Sequence, residues 1–244
     1  GLAGMLLVSD DEERALGLPG GDHELVCVLQ DRRFDAQNQL TYLSAGMMDQ
    51  MHGFVGDRLL VNGRIAPVVD VASRGYRLRL LNGSSSRVYK LEWSDGTPLT
   101  IIGSQGGLLE RPRPQRYLTL APAQRADVFV DFSGRAVGAS VELRSAAFPA
   151  SDVDRTAGAM GGMGRGSGSA NGAALSLMTF RVARQEASSY RLPPRLATYG
   201  SSWAQNDAAP VRRIPISIAA GQWLLDGRTF DMMNAAPEEE VRAG

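Results

Sequence analysis

The side chains that could hold a soft metal or act as a nucleophile are few: His23, His52, the single thiol of Cys27, and methionines such as 47, 48, 51, 160 and 163. A blue-copper centre takes two imidazoles, a thiolate and usually an axial methionine, so the count just admits one. The spacing argues against it. His23 and Cys27 are four positions apart, and on one strand that is about 13 Å, too far to share an ion. Cys27 also lies between Leu25 and Leu29 on one strand face, which suits a small buried apolar residue. His23 follows Gly20-Gly21-Asp22 in a turn, where a solvated or hydrogen-bonded role is the simplest reading. His52 sits among Met47, Met48 and Met51, and thioethers favour Cu(I). Methionine is also a common filler of irregular gaps, and that is the reading adopted for this loop. Met160 and Met163 lie in a glycine-rich stretch that reads as a plain linker.

Other chemistry fails on context. Residues 103–107, Gly-Ser-Gln-Gly-Gly, match the nucleophile elbow only loosely and no strand-to-helix step follows. Residues 158–166 lack the Gly-Lys-Ser/Thr ending of a phosphate loop. The paired acids at 10–11 and 238–240 read as solvated surface. No residue is assigned as catalytic, cofactor-binding or metal-ligating.

The elements that would position these residues are strands. Tyr76, Leu78 and Leu80 alternate with Arg77 and Arg79, and Tyr89, Leu91 and Trp93 alternate with Lys90 and Glu92. Each reads as a half-buried antiparallel strand with its charged residues facing solvent or a neighbouring domain. Residues 25–29 read as a strand buried on both faces that residues 38–43 continue. Met5 to Val8 reads as a short buried strand, and residues 10–18 as an acidic loop or weak helix. Further strands are expected around 126–132, 141–144, 174–182 and 214–218, with a hairpin over 223–230 turning at Asp226-Gly227. Asn62-Gly63, Asn82-Gly83, Asp95-Gly96 and Gly106-Gly107 mark turns that tolerate positive φ. Short strands at this spacing predict an antiparallel β-sandwich with no long helix. Residues 151–173 are too rich in glycine and too polar to pack, and are expected to be a mobile loop.

Composition adds exclusions. With 26 basic and 26 acidic side chains, the chain gives no electrostatic reason to expect nucleic acid as a partner. No apolar run is long enough to span a bilayer, and one cysteine rules out an internal disulfide framework.

Four ordered segments carry a family resemblance. GDRLLVNG at 56–63, YRLRLLN at 76–82, IGSQGGLLERP at 102–112 and LAPAQRADVFVDF at 120–132 resemble the middle domain of three-domain multicopper oxidases, of the copper-efflux oxidase, laccase and bilirubin oxidase types. The departure is Ala123-Gln124, where that family has Gly-Glu. The resemblance implies a cupredoxin-like Greek-key fold. It further implies that residues 1–19 are the tail of a preceding cupredoxin domain and its linker. Residues 20–183 would then be the middle domain, 184–210 a linker and 211–244 the start of a third domain.

The activity implied is laccase-like: oxidation of phenolic substrates or Cu(I) with reduction of dioxygen to water, in a periplasmic or secreted protein. Its copper ligands would lie outside this chain, on first and third domains that are this part's partners, and the part itself would be an inactive spacer. Two alternatives stand beside it: a copper-free, cell-division-type structural relative of the same fold, and an unrelated ligand-binding β-sandwich.

Overall fold

The computed structural model describes residues 3–150 apart from 43, 45, 47, 48 and 50–52, residues 171–199 apart from 189, and residues 213–231 apart from 220, 221 and 230. His52, the five methionines named above and almost all of the glycine-rich stretch lie outside the described residues.

Strand-period alternation in the sequence becomes two facing sheets. The first contains β1 (Glu24–Phe34), β2 (Leu40–Thr41), β3 (Arg58–Val61), β5 (Gly75–Asn82), β7 (Leu99–Ser104), β8 (Gly107–Gln115) and β10 (Arg125–Asp131). Its order is β2-β1-β5-β10-β7-β8, with β3 also on β1. The second runs β4-β12-β11-β6-β9, with β4 at Val68–Ala72, β6 at Tyr89–Trp93, β9 at Leu118–Leu120, β11 at Ser140–Ser145 and β12 at Leu175–Arg184. Most ladders are antiparallel. The β1–β5 and β4–β12 pairs are parallel, which is possible because other strands intervene between their members and replace a hairpin with a crossover. Among the described residues helix is limited to α1 (Asp11–Ala15), a 3-10 turn at Gly21–His23 and the single position Asp49.

The core lies between the sheets. Leu78, Leu80, Val128 and Val130 from the first meet Leu91, Trp93, Phe180 and Val182 from the second, and all are buried. Trp93 stands edge-on to Phe180 at 5.5 Å and to Phe132 at 6.5 Å, the arrangement that ring quadrupoles favour. The alternation therefore predicts the inner faces correctly.

The outer face is covered where the alternation allows solvent or a neighbouring domain, and three other expectations are corrected. Arg77 and Asp127 are 3% and 6% exposed, because the chain on either side of the sandwich lies over them. Met5 to Val8 is not a buried strand: it forms no ladder, and Leu6 and Val8 are 88% and 78% exposed. Residues 38–43 do not continue β1 either. Leu40 and Thr41 turn back to pair with Phe34 and Arg33. Along β1 burial alternates, with Cys27, Leu29 and Asp31 inside and Val26 and Val28 half-buried, so it is a one-faced strand.

Turn chemistry is used selectively. Asn62 and Gly63 take φ of 51° and 78°, the double positive φ of a type I′ turn, and Val61 and Arg64 exchange backbone hydrogen bonds across it at 2.8 and 3.0 Å. Gly83 has no positive φ. A Cβ there would lie 3.1 Å from Val28 Cγ1, so a side chain would have to push its neighbours back by a few tenths of an ångström.

The chain divides into two compact units, Gly1–Tyr199 and Gly200–Gly244. In the second, β13 (Ile216–Ala219) pairs with β14 (Gln222–Leu225). Asp226 and Gly227 form the expected positive-φ turn, but its return arm reaches only a single bridge at Arg228.

Candidate functional site: a charged seam on the seven-stranded sheet

Cys27 faces the core beside Leu80 of the parallel neighbour β5. It is 2% exposed, and burial pushes its thiol up to about 12, so it presents neither a nucleophile nor a thiolate ligand. His23 stands edge-on to Tyr76 at 5.2 Å. Among the described residues no group of three or more His, Cys, Asp or Glu side chains could hold a metal ion.

Charge concentrates instead on the outer face of the first sheet. Arg77 and Arg79 share that face of β5. In the ladders, Glu24 of β1 lies opposite Arg77, and Asp127 of β10 lies opposite Arg79. Arg77 grips Asp127 through Nε at 2.9 and 3.0 Å and Nη2 at 2.5 Å. Arg79 donates to Glu24 at 2.7 Å. The lid on this row is α1. Asp10 caps the helix, accepting from Glu13 N at 2.7 Å, and three acids fill its first turn, where the helix dipole favours them. Glu13 then accepts from Arg77 at 2.8 Å and Arg79 at 2.7 Å. Burial alone would raise the Glu13 carboxyl. The hydrogen bonds from Arg77 and Arg79 outweigh it and hold the group below its ordinary value. At Asp127 burial prevails over the pull of Arg77 and Arg79, and the carboxyl is pushed up.

The outgoing segment after β12 lies on the same sheet. Glu186 accepts from Arg74 at 2.5 Å, with Arg184 at 3.5 Å and His23 Nε2 at 3.8 Å. Its backbone N–H donates to Ser73 Oγ at 2.9 Å. Hydrogen bonding from Arg74, with the surrounding cations, holds the Glu186 carboxyl below its ordinary value. Tyr190 packs on Phe129 at 5.7 Å between ring centres. Further on, Leu196 N donates to Glu110 O at 2.8 Å, and Tyr199 OH donates to Leu108 O. These bonds occupy two carbonyls of the edge strand β8, while Pro112 and Pro114 remove two of its donors, which leaves that edge poorly suited to adding a strand.

A third tether is wholly internal. Arg87 and Asp31, both 0% exposed, pair at 2.9 Å. Gly56 donates its N–H to Asp31 at 2.7 Å and accepts from Arg87 at 2.7 Å. A Cβ at Gly56 would sit 2.3 Å from Arg32 N, so only glycine lets the loop before β3 approach this closely. Arg33 pins the same loop through Asp49 at 2.5 Å and Val55 O at 2.7 Å.

Two cavities flank residues 3–8. The larger, about 480 Å³, lies between Ala3–Leu6 and the Asn82–Ser85 loop. Its polar lining is already engaged: Asn82 donates to Arg87 O and Leu120 O, and Arg125 to Gln105 O and Ala123 O. The arrangement is one of holding, with no nucleophile–base pair in it. The alternation places Arg77, Arg79 and Asp127 on the right strands, facing solvent or a neighbouring domain, but does not bring Glu13 and Glu24 to them. The missed signal is the acid run Asp10 to Glu13, short enough to cap and form one helical turn, beside a strand with arginines at alternate positions.

These sheets define the class: an all-β, cupredoxin-like sandwich of the kind found in multicopper oxidases. The McoA multicopper oxidase of Aquifex aeolicus (2F4 variant) superposes with a TM-score of 0.77 at 30% identity, over 93% of this chain and 47% of that one. In sequence, cell division protein FtsP of Escherichia coli is 42% identical over 135 residues, and a laccase of Bacillus stratosphericus 37% over 143 residues. Each match covers 54% of this chain and 28% of the relative, so the chain spans under a third of the curated relatives it matches. No family model matches. The resemblance to multicopper oxidases thus holds in both sequence and fold.

Proposed function

We propose that residues 20–183 act as a spacer domain, without copper of their own, in a longer protein of multicopper-oxidase type. Residues 1–19 are then the tail of a preceding cupredoxin domain, 184–210 a linker and 211–244 the start of a third. The observation that carries this reading is the double anchorage: the incoming segment, through Glu13, and the outgoing segment, through Glu186 and Leu196, are fixed on the same sheet. A domain that clasps both of its flanking segments sets the direction in which each leaves. Cys27 and His23 do not fit a copper centre, the first being a protonated thiol in the core and the second turned to Tyr76 and Glu186.

In this reading the whole protein oxidises phenolic substrates or Cu(I) and reduces dioxygen to water, at copper held by its flanking domains, in the periplasm or outside the cell. The test is a Cu(II) titration of the 244-residue chain followed by its visible spectrum. The expected result is no intense thiolate-to-copper band and no oxygen uptake with a phenol; either signal overturns the spacer reading. A second reading, a cell-division protein without oxidase activity, draws on the higher identity to FtsP, 42% against 37% for the laccase. Oxygen uptake by the full-length protein with copper and a phenol separates the two.

A further inference from the structure

Four buried side-chain polar atoms have no hydrogen-bond partner among the described residues, and two of them, His23 Nε2 and Arg74 Nε, belong to side chains that meet at Glu186. His23 belongs to the incoming segment, in the 3-10 turn that precedes β1, and Glu186 to the outgoing segment just after β12. We propose that His23 and Glu186 form a pH-responsive latch between the two segments, open while the imidazole is neutral and closed when it is protonated. This rests on the spacer reading and adds a regulation to it.

The geometry sets the direction. His23 Nε2 lies 3.8 Å from Glu186 Oε1, about 1 Å beyond a charge-assisted hydrogen bond. A buried atom without a partner is tolerable as a bare ring nitrogen. Once it carries a proton and a charge it needs an acceptor, and the Glu186 carboxylate is the acceptor within reach. Histidine changes charge between about pH 5 and 8. Glu186 stays ionised through that range, because Arg74 holds its carboxyl low.

The groups packed about the pair are named by the same contacts. Tyr76 supplies a ring edge from β5, Arg74 reaches the shared carboxylate from just before β5, and Arg184 from the end of β12. On the histidine's own side, Glu24 is taken up by Arg79 at 2.7 Å. The latch therefore adds a third cation to one carboxylate. Arg184 is the group that can yield, since its side chain is 58% exposed and its contact the longer at 3.5 Å.

The readout is hydrogen–deuterium exchange at the Glu186 amide, which donates to Ser73 Oγ, in the 244-residue chain at pH 5.5 and 7.5 after correction for intrinsic rates. The expected result is about two- to fivefold more protection at the lower pH, the range a half-buried ion pair supports. His23→Gln is expected to abolish the difference. His52→Gln, which leaves His23 as the only histidine of the two, is expected to keep it and serves if His23→Gln fails to fold. Equal protection at both pH values overturns the latch, as does a pH response that survives His23→Gln or disappears in His52→Gln. Copper titration reports on the spacer reading separately, so either idea can fall alone.

Discussion

Replacing Arg77 with alanine is the sharpest test of the charged seam. The side chain is 4% exposed and bridges Asp127, itself 8% exposed, to Glu13 of α1. Removing it leaves three carboxylates, Glu13, Glu24 and Asp127, to share Arg79. Asp127 then keeps only the 3.3 Å contact to Arg79 Nη1 in this cluster. Breaking one partner out of a buried pair costs about 3–5 kcal/mol, because the remaining charge stays desolvated. Urea unfolding of the 244-residue chain reads this directly. With a slope of about 2–3 kcal/mol/M for a unit of this size, the midpoint falls by about 1–2.5 M. The mechanism makes a second demand. Arg77→Leu combined with Asp127→Leu removes both charges, and such replacements are commonly near neutral, so the double variant recovers most of the loss. A single-variant loss below about 0.5 kcal/mol, the range of ordinary surface substitutions, would refute the buried seam. So would a double variant no better than the single one.

Leu80→Ala should lose about 2–5 kcal/mol in the same assay, since Leu80 is fully buried between the sheets; a loss under about 0.5 kcal/mol would mean β5 is out of register. Glu13→Gln should cost about 0.5–1 kcal/mol at neutral pH, discounted because α1 lies at the surface. Glu13 is depressed in the fold, so its contribution is present above the ordinary carboxylate value and is lost as pH falls through the folded one; wild type and variant should converge in acid, and a gap that widens there would contradict the assignment. The Cys27 thiol should resist an aromatic disulfide reagent in the folded chain and react at once in denaturant, because it is buried with its titration pushed up to about 12; prompt reaction without denaturant would place β1 elsewhere.

The inner faces were legible because a two-residue period is a local property. Leu78, Leu80, Leu91, Trp93, Val128 and Val130 declare their side by alternation alone, and the type I′ turn at Asn62-Gly63 by its residue types. The outer face was not legible in the same way. Alternation says that Arg77 and Asp127 point away from the core; it cannot say whether water or another segment lies there. That depends on a helix 64 positions away from Arg77 in sequence reaching it through Glu13, and on a segment beyond β12 arriving at Arg74. The same limit misled the reading of Met5 to Val8, where an apolar run implies a sheet to join without naming one.

The covered charges and the exposed apolar run bear on the role proposed for the domain. A sandwich that stood alone would have little use for a one-turn helix fixed by two arginines, or for a carboxylate at 186 shared among Arg74, Arg184 and His23. Such pairs add little stability for the order they impose, and a buried row such as Arg77–Asp127 could be replaced by apolar packing at no loss. Their effect is directional: each fixes the path of a segment, where an apolar contact would let it slide. Exposed Leu6 and Val8 on one side of the seam, and a two-stranded hairpin carrying exposed Ile216 and Ile218 in the second unit, fit the same logic. In the spacer reading, exposed apolar side chains such as these are surface for flanking domains to cover. In the same reading, the core makes this domain fold and the charges on its outer face set where the chain goes next.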